Sequence, residues 1–293
     1  MADLPQVDQE FMLDFLVELL NTPSPTGFTH HALTLTSKTL KQFDQLELTA
    51  TRKGALVADW PGESANTPRG LTAHIDTLGA MIKEIKSNGR LKLTNIGGFA
   101  WNTVEGEGLT VFTNDEKEFR GSLLLNKASG HVHGADVNTT KRDANVMEVR
   151  LDARTASAEE TRELGIQVGD FVAFDPRVEI NNGFIRSRHL DDKACVAAMA
   201  AAVQALHKAG LKPAQNTTLH FSNYEEVGHG AAVGFPADMA ELVAVDMAAM
   251  GDGQTSDEFH ATLCVKDSAG PYHYSLNQRL RQLAKAHDIP HKI

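Results

Sequence analysis

Cysteine is nearly absent: the 293 residues contain only Cys195 and Cys264. Two cysteines are too few for a disulfide framework and fit a reducing compartment. Long apolar runs are missing too. The longest nearly unbroken one, residues 194–206, falls short of the roughly 20 residues a spanning helix needs. Basic residues are outnumbered, 28 against 38 acidic, for a formal net charge of −10. That balance argues against nucleic acid or an anionic membrane as partner, because both reward clustered Lys and Arg. The opening MADLPQVDQEFMLDF has no cationic segment ahead of an apolar block, so no secretory signal and a cytoplasmic location are expected. Neither a G-x-S-x-G elbow nor a G-x-x-x-x-G-K-[ST] loop occurs, which sets aside serine hydrolases and P-loop nucleotide enzymes.

What is present is enough for a sizeable core. The chain is 42% hydrophobic and 23% charged, close to an average soluble protein. At about 150 residues per domain, it holds one large or two ordinary domains. Phe11, Phe15, Leu16, Leu19 and Leu20 recur at helical spacing ahead of Pro23 and Pro25. A second helix is predicted over 29–43, with Thr29 as its N-cap. LELTATR and ALVADW flank Lys53-Gly54 as a hairpin, and GLTAHID reads as a buried strand carrying His74 and Asp76 at its end.

From 78 to 177 the text changes to short strands and turns, with Asn88-Gly89 a strong hairpin signal. A short helix over 157–164 is predicted there, with Ser157 and Glu160 as a capping box. Strands and helices alternate again afterwards: GFIRSR, an Ala-rich helix over 191–208, NTTLHFSN, a helix over 237–242, LVAVD, ATLCVKD and a final helix over 274–287. The expected fold is therefore α/β, a mostly parallel sheet flanked by helices, split into parts 1–77 and 178–293 by an all-β module at 78–177.

Four signals sit just past predicted strands or at a helix start, the edge where open α/β sheets bind ligands. His74-x-Asp76 reads as a metal-binding imidazole backed by a carboxylate, or as two satisfied polar groups at a strand end. Asp191-Asp192 reads as a helix cap, or as one carboxylate bridging two cations while the other positions its surroundings. Glu225 and Glu226 repel each other unless a cation or proton separates them, so one suits a ligand and the other a general base. Asp246 ends LVAVD as a ligand candidate or a loop start. Together they offer nitrogen and oxygen donors without sulfur, a set suited to Zn²⁺, Co²⁺ or Mn²⁺. Cys195, on an Ala-rich helix face, reads as packing. His131-Val132-His133 reads as a loop or interface element, or as a metal pair on a strand.

In order, TAHIDTLG, HLDDKACVAAM, NYEEVGHGAAVG and AVDMAAMGDG resemble the glutamyl aminopeptidase and tetrahedral aminopeptidase family of dinuclear metallopeptidases. The inserted β module and VKDSAGPYHYSLNQRLRQLAKAHDIP resemble that family too, so the likeness runs from about Leu16 to the end. It implies a zinc exopeptidase-like fold and a metal-dependent aminopeptidase acting on short peptides. It implies two divalent metal ions per subunit, Zn²⁺ first with Co²⁺ or Mn²⁺ as alternatives. Carried over by residue, His74 binds one metal with Asp76 as its positioning partner, and Asp191 bridges both metals. Glu226 then binds the second metal, Asp246 the first, and Glu225 is the general base. The resemblance also implies a homo-oligomer, a dimer through the β module and often a dodecamer.

Two features depart from the family. Its histidine ligand to the second metal lies beyond the stretch resembled by DSAGPYHYS, and no residue here matches it. His273 and His291 come too early in motif order, so the α/β domain is expected to be shortened at its C-terminus. EEVGHGAA also differs from the longer glycine-and-arginine form that follows the Glu pair. Two further readings stand beside the aminopeptidase: a related amidohydrolase removing an acyl group from a small peptide-like metabolite, and a non-catalytic scaffold assembled through the β module.

Overall fold

Helical spacing of apolar residues builds the first two elements of the computed structural model, which describes residues 4–293. α1 (Gln9–Leu20) opens on Asp8, whose carboxylate accepts from the Phe11 N–H, and it buries Phe15, Leu16, Leu19 and Leu20. α2 (His30–Leu40) stops short of the predicted end, because Phe43 turns back on the Leu40 carbonyl and enters the core. The chain divides into two compact units, Val7–Val245 and a smaller one formed mainly by Asp246–Ile293.

In the larger unit β1 (Glu47–Ala50) and β2 (Leu56–Trp60) form the predicted antiparallel hairpin. β3 (Arg69–His74) lies deeper in the sheet. The next strands make the inserted module: β4 (Gly79–Ile85), β5 (Leu91–Ile96), β6 (Gly108–Phe112), β7 (Glu118–Leu125), β8 (Met147–Leu151) and β9 (Phe171–Phe174). They close into a six-stranded barrel in the order β4-β5-β8-β7-β6-β9. Alternate residues fill its interior, among them Ile82, Leu93, Leu109, Val111, Leu123 and Val149, as the two-residue period of a strand requires.

Three short helices decorate the barrel. α3 (Gly130–His133) and α4 (Asp136–Thr139) are single turns. His131 and His133 therefore stand on a helix and not on a strand, and residues two apart on a helix face different ways. α5 (Ala158–Glu163) is capped by Ser157 Oγ, which accepts from Glu160 N–H. The Glu160 carboxylate reaches back one residue further than a capping box would, to Ala156 N–H.

GFIRSR does not join the main sheet. Among the described residues β10 (Glu179–Asn181) and β11 (Phe184–Arg186) pair only with each other. α6 (Leu190–Lys208) then crosses the sheet, and its alanines let Val196, Met199 and Val203 pack closely against α1 and the strands. Cys195 packs against this same core. β12 (Thr217–Ser222) and β13 (Glu241–Ala244) complete a sheet of order β1-β2-β12-β3-β13. β12, β3 and β13 run parallel, while β1 and β2 add an antiparallel edge. The helix predicted at 237–242 is absent. Pro236 opens a turn closed by Met239 N–H, and Ala240 N–H donates to Pro68, docking the chain directly into β13.

In the smaller unit β14 (Ala261–Thr262) pairs with β15 (His291–Lys292), so ATLCVKD yields only two strand residues. α7 (Tyr274–Ala286) is capped by the side chain of His273, whose Nδ1 accepts from Leu276 N–H. Asn277 ties this helix to the Cys264 carbonyl at 3.0 Å. Neither cysteine forms a disulfide. Among the described residues no helix is long and apolar enough to cross a membrane.

Candidate metal centre

Parallel register sets the site. Ser222 at the end of β12 lies opposite His74 at the end of β3, and Ile75 N–H donates to Ser222 at 2.9 Å. The two strands thus release Asp76 and the Glu225-Glu226 pair at the same sheet edge. Asp76 is fully buried and joins them. Its Oδ1 accepts from Glu225 N–H at 3.1 Å, and its Oδ2 accepts from Glu226 N–H at 3.3 Å and from the Thr26 hydroxyl at 2.6 Å. Burial opposes charge on Asp76, but the His74 ring, the Thr26 hydroxyl and the Glu225 N–H together hold its pKa below the ordinary aspartate range.

The His74 ring is oriented from both sides. Its Nδ1 lies 2.9 Å from the Asp76 carbonyl, which it can meet only as a donor. That leaves Nε2 pointing at Asp191 Oδ1, 3.0 Å away, with Glu225 Oε2 at 3.7 Å. Burial disfavours a charged ring, yet hydrogen bonds to Asp191 and Asp76 and the Asp192 charge outweigh it and raise the pKa to about 11. Physically, the carboxylates around Nε2 make a well for positive charge, which a proton fills when no metal is bound.

Asp191 and Asp192 divide their tasks. Their backbone is non-helical, their shared peptide is cis, and regular helix starts at Lys193. Asp191 is half-exposed and faces the ring, whereas Asp192 is buried and its Oδ2 accepts from His74 N–H at 3.0 Å. Glu225 and Glu226 stand on a 3-10 turn, Glu225–Val227, between left-handed Tyr224 and Gly228. Glu226 is partly buried, and burial together with the Asp191 charge lifts its pKa to about 7. Glu225 is about half-exposed. The barrel closes in from one side at Gly97, where φ is 73° and a Cβ would meet Leu78 at 2.4 Å and Glu226 at 3.3 Å.

The larger unit therefore gathers His74, Asp76, Asp191, Glu225 and Glu226. β13 carries the chain out of the same sheet as far as Val245, whose N–H donates to Thr72 at 2.8 Å. Asp246 is the first residue of the smaller unit's main segment, and its carboxylate accepts from Met247 N–H. The donor set passes a chemical test for a divalent metal: an oriented imidazole with its second nitrogen turned outward, hard oxygens beside it, and no thiolate.

Two contributors, Thr26 and Lys53, carry no site signal of their own in the sequence, and a third, Lys193, carries only a faint one. Thr26 supplies the hydroxyl to Asp76. Lys53, in the β1–β2 turn, grips the carbonyls of His229 and Gly230 and lies 5.7 Å over the Tyr224 ring, pinning the Glu turn from its far end. Lys193 is wholly buried and donates to the Leu19 and Thr22 carbonyls at 2.9 and 2.7 Å, locking the start of α6 to the end of α1. Burial lowers its pKa to about 7. A lysine inside an Ala-rich apolar stretch was the only hint of that role.

Comparison with known proteins decides the family. The family model described as M42 glutamyl aminopeptidase matches residues 54–293. The chain belongs to the M42 family. It is a metal-dependent aminopeptidase whose chemistry uses a dinuclear metal site. YhfE of Bacillus subtilis, an aminopeptidase by name, is 44% identical over 282 residues, covering 96% of this chain and 81% of that protein. A lysyl aminopeptidase of Pyrococcus furiosus is 23% identical over 306 residues, covering 96% of this chain and 80% of its own. Among solved structures, a TET aminopeptidase from a marine-sediment thaumarchaeon superposes with a TM-score of 0.84 at 19% identity, over 97% of this M42 chain and 81% of the other. That likeness extends to the α/β layers and the barrel.

Proposed function

We propose that this M42 enzyme removes N-terminal residues from short peptides. His74, Asp191, Glu226 and Asp246 would hold two divalent ions per subunit, Zn²⁺ first with Co²⁺ or Mn²⁺ as alternatives. When bound, the ions supply Lewis acidity to the scissile carbonyl and acidify the attacking water. Glu225 would take the proton from that water as its oxygen adds to the carbonyl carbon. Glu225 would then pass the same proton to the departing amine as the C–N bond breaks. Asp76 positions the machinery: its carboxylate fixes the amides of both glutamates, and its carbonyl sets the tautomer of His74.

One observation carries this reading. Asp76 joins the imidazole to both members of the Glu pair, so one buried residue sets base and ligands together. The domain limits proposed are 1–77, 78–177 and 178–293, with the β module serving assembly into a homo-oligomer. Supporting this, a related Pyrococcus horikoshii peptidase can assemble into a tetrahedron or a large octahedral shell. A reducing cytoplasm is the proposed setting.

Paired substrates test the proposal. Aminoacyl-p-nitroanilides with a free amine should be hydrolysed, and their N-acetyl counterparts should not. Preference for the acetylated form would assign the site to deacylation, and turnover of neither would favour a scaffold.

A further inference from the structure

A second group of metal-ligating side chains stands on the surface of the larger unit, apart from the centre described above. His30 and His31 open α2, and Glu116 stands in the β6–β7 turn. Each offers one ligand atom, and these atoms lie within 4.8 Å of one another. Successive residues on a helix normally point about 100° apart. Here the two imidazoles are drawn together, with ring centroids 4.0 Å apart.

The aromatic floor beneath them explains the arrangement. Phe28 sets its ring edge-on to both, at 4.7 Å from His30 and 5.5 Å from His31. Phe28 in turn packs on Phe112 and Phe171 of the barrel, in a small buried cluster with Ala173. The third ligand is also held in place. Glu116 has φ of 57° in a turn where its N–H donates to the Thr113 carbonyl and the Thr113 hydroxyl accepts from Lys117 N–H. Lys117, the basic residue of that turn, pairs with Asp115 at 2.7 Å and leaves Glu116 to the histidines. His30 Nε2 and Glu116 Oε1 are 3.4 Å apart. In a tetrahedral site with bonds of about 2.1 Å, neighbouring donors stand about 3.4 Å apart.

We propose that His30, His31 and Glu116 form a transition-metal site that takes Zn²⁺ or a similar borderline cation, with water completing the shell. Two imidazoles and one carboxylate match an open zinc site, whereas Mg²⁺ and Ca²⁺ require more oxygen ligands. The positive end of α2 weakens the site relative to a closed one. A bound ion would staple the start of α2 to the barrel turn, joining the α/β layers to the inserted module at a point remote in sequence.

Zinc binding to the whole protein, followed by equilibrium dialysis with elemental analysis, tests this. The parent should bind one more Zn²⁺ per chain than the double variant His30→Ala/His31→Ala. Glu116→Gln should weaken that extra site roughly tenfold or more. Hydrolysis of an aminoacyl substrate should be the same in all three. Equal zinc counts in parent and double variant would overturn the site, and unchanged affinity in Glu116→Gln would remove Glu116 from it. A fall in hydrolysis that tracks the lost zinc would place the ion at the catalytic centre and overturn the separation.

Discussion

Glu225→Gln should lower kcat by about 10²- to 10⁴-fold, the usual contribution of a general base, while KM and metal content change little. Glutamine keeps the shape of the side chain but cannot take a proton from water. The variant should also remain folded. The contact that anchors Glu225 to Asp76 comes from its backbone N–H, and its side chain is about half-exposed. Surface changes of this kind usually alter stability by no more than about 0.5 kcal/mol. Steady-state kinetics on an aminoacyl-p-nitroanilide, with metal per chain measured on the same sample, checks the split. A kcat within tenfold of the parent would take the base role away from Glu225.

Asp76→Asn should be nearly as severe, for a different reason. The Asp76 carboxylate accepts from three donors: the Glu225 and Glu226 N–H groups and the Thr26 hydroxyl. Asparagine turns one of the two oxygens into an NH₂ group, so a donor must face a donor in a fully buried position. Leaving such a group unsatisfied costs about 1–3 kcal/mol. The Glu turn should shift, with kcat falling about a hundredfold and metal affinity about 10- to 100-fold. The imidazole should be less affected, because its Nδ1 meets the Asp76 backbone carbonyl. Denaturant unfolding together with zinc titration separates these effects. Unchanged stability and affinity would show that Asp76 does not organise the centre.

Much of this was readable from the chain because the informative features are local. Strands that alternate around Lys53-Gly54 and Asn88-Gly89 pair as their turns require. Residues at the ends of parallel strands share an edge whatever the loops do, so His74, Asp76 and the Glu pair could be grouped in advance. Distant partners left no such trace. Closure of the barrel depends on pairings such as β4 with β9, which no turn announces. Thr26 and Lys53 act through contacts far away in sequence. The stretch 237–242 reads as a helix in the sequence, but the turn from Pro236 and the docking of Ala240 on Pro68 lead the chain instead into β13. The sequence leaves the Asp191-Asp192 pair open between capping and ligation, and only the fold separates a carboxylate facing His74 Nε2 from one accepting from His74 N–H.

Removal and return of metal is the most direct test of the central claim. The whole protein is stripped with a chelator, dialysed free of it, and titrated with Zn²⁺ while hydrolysis of a free-amine aminoacyl substrate is followed. Hydrolysis should vanish on stripping and return in step with metal bound, and Asp191→Asn should recover little at the same zinc concentrations. Full hydrolysis by the stripped protein would contradict a metal-dependent centre at His74, Asp191 and the Glu pair.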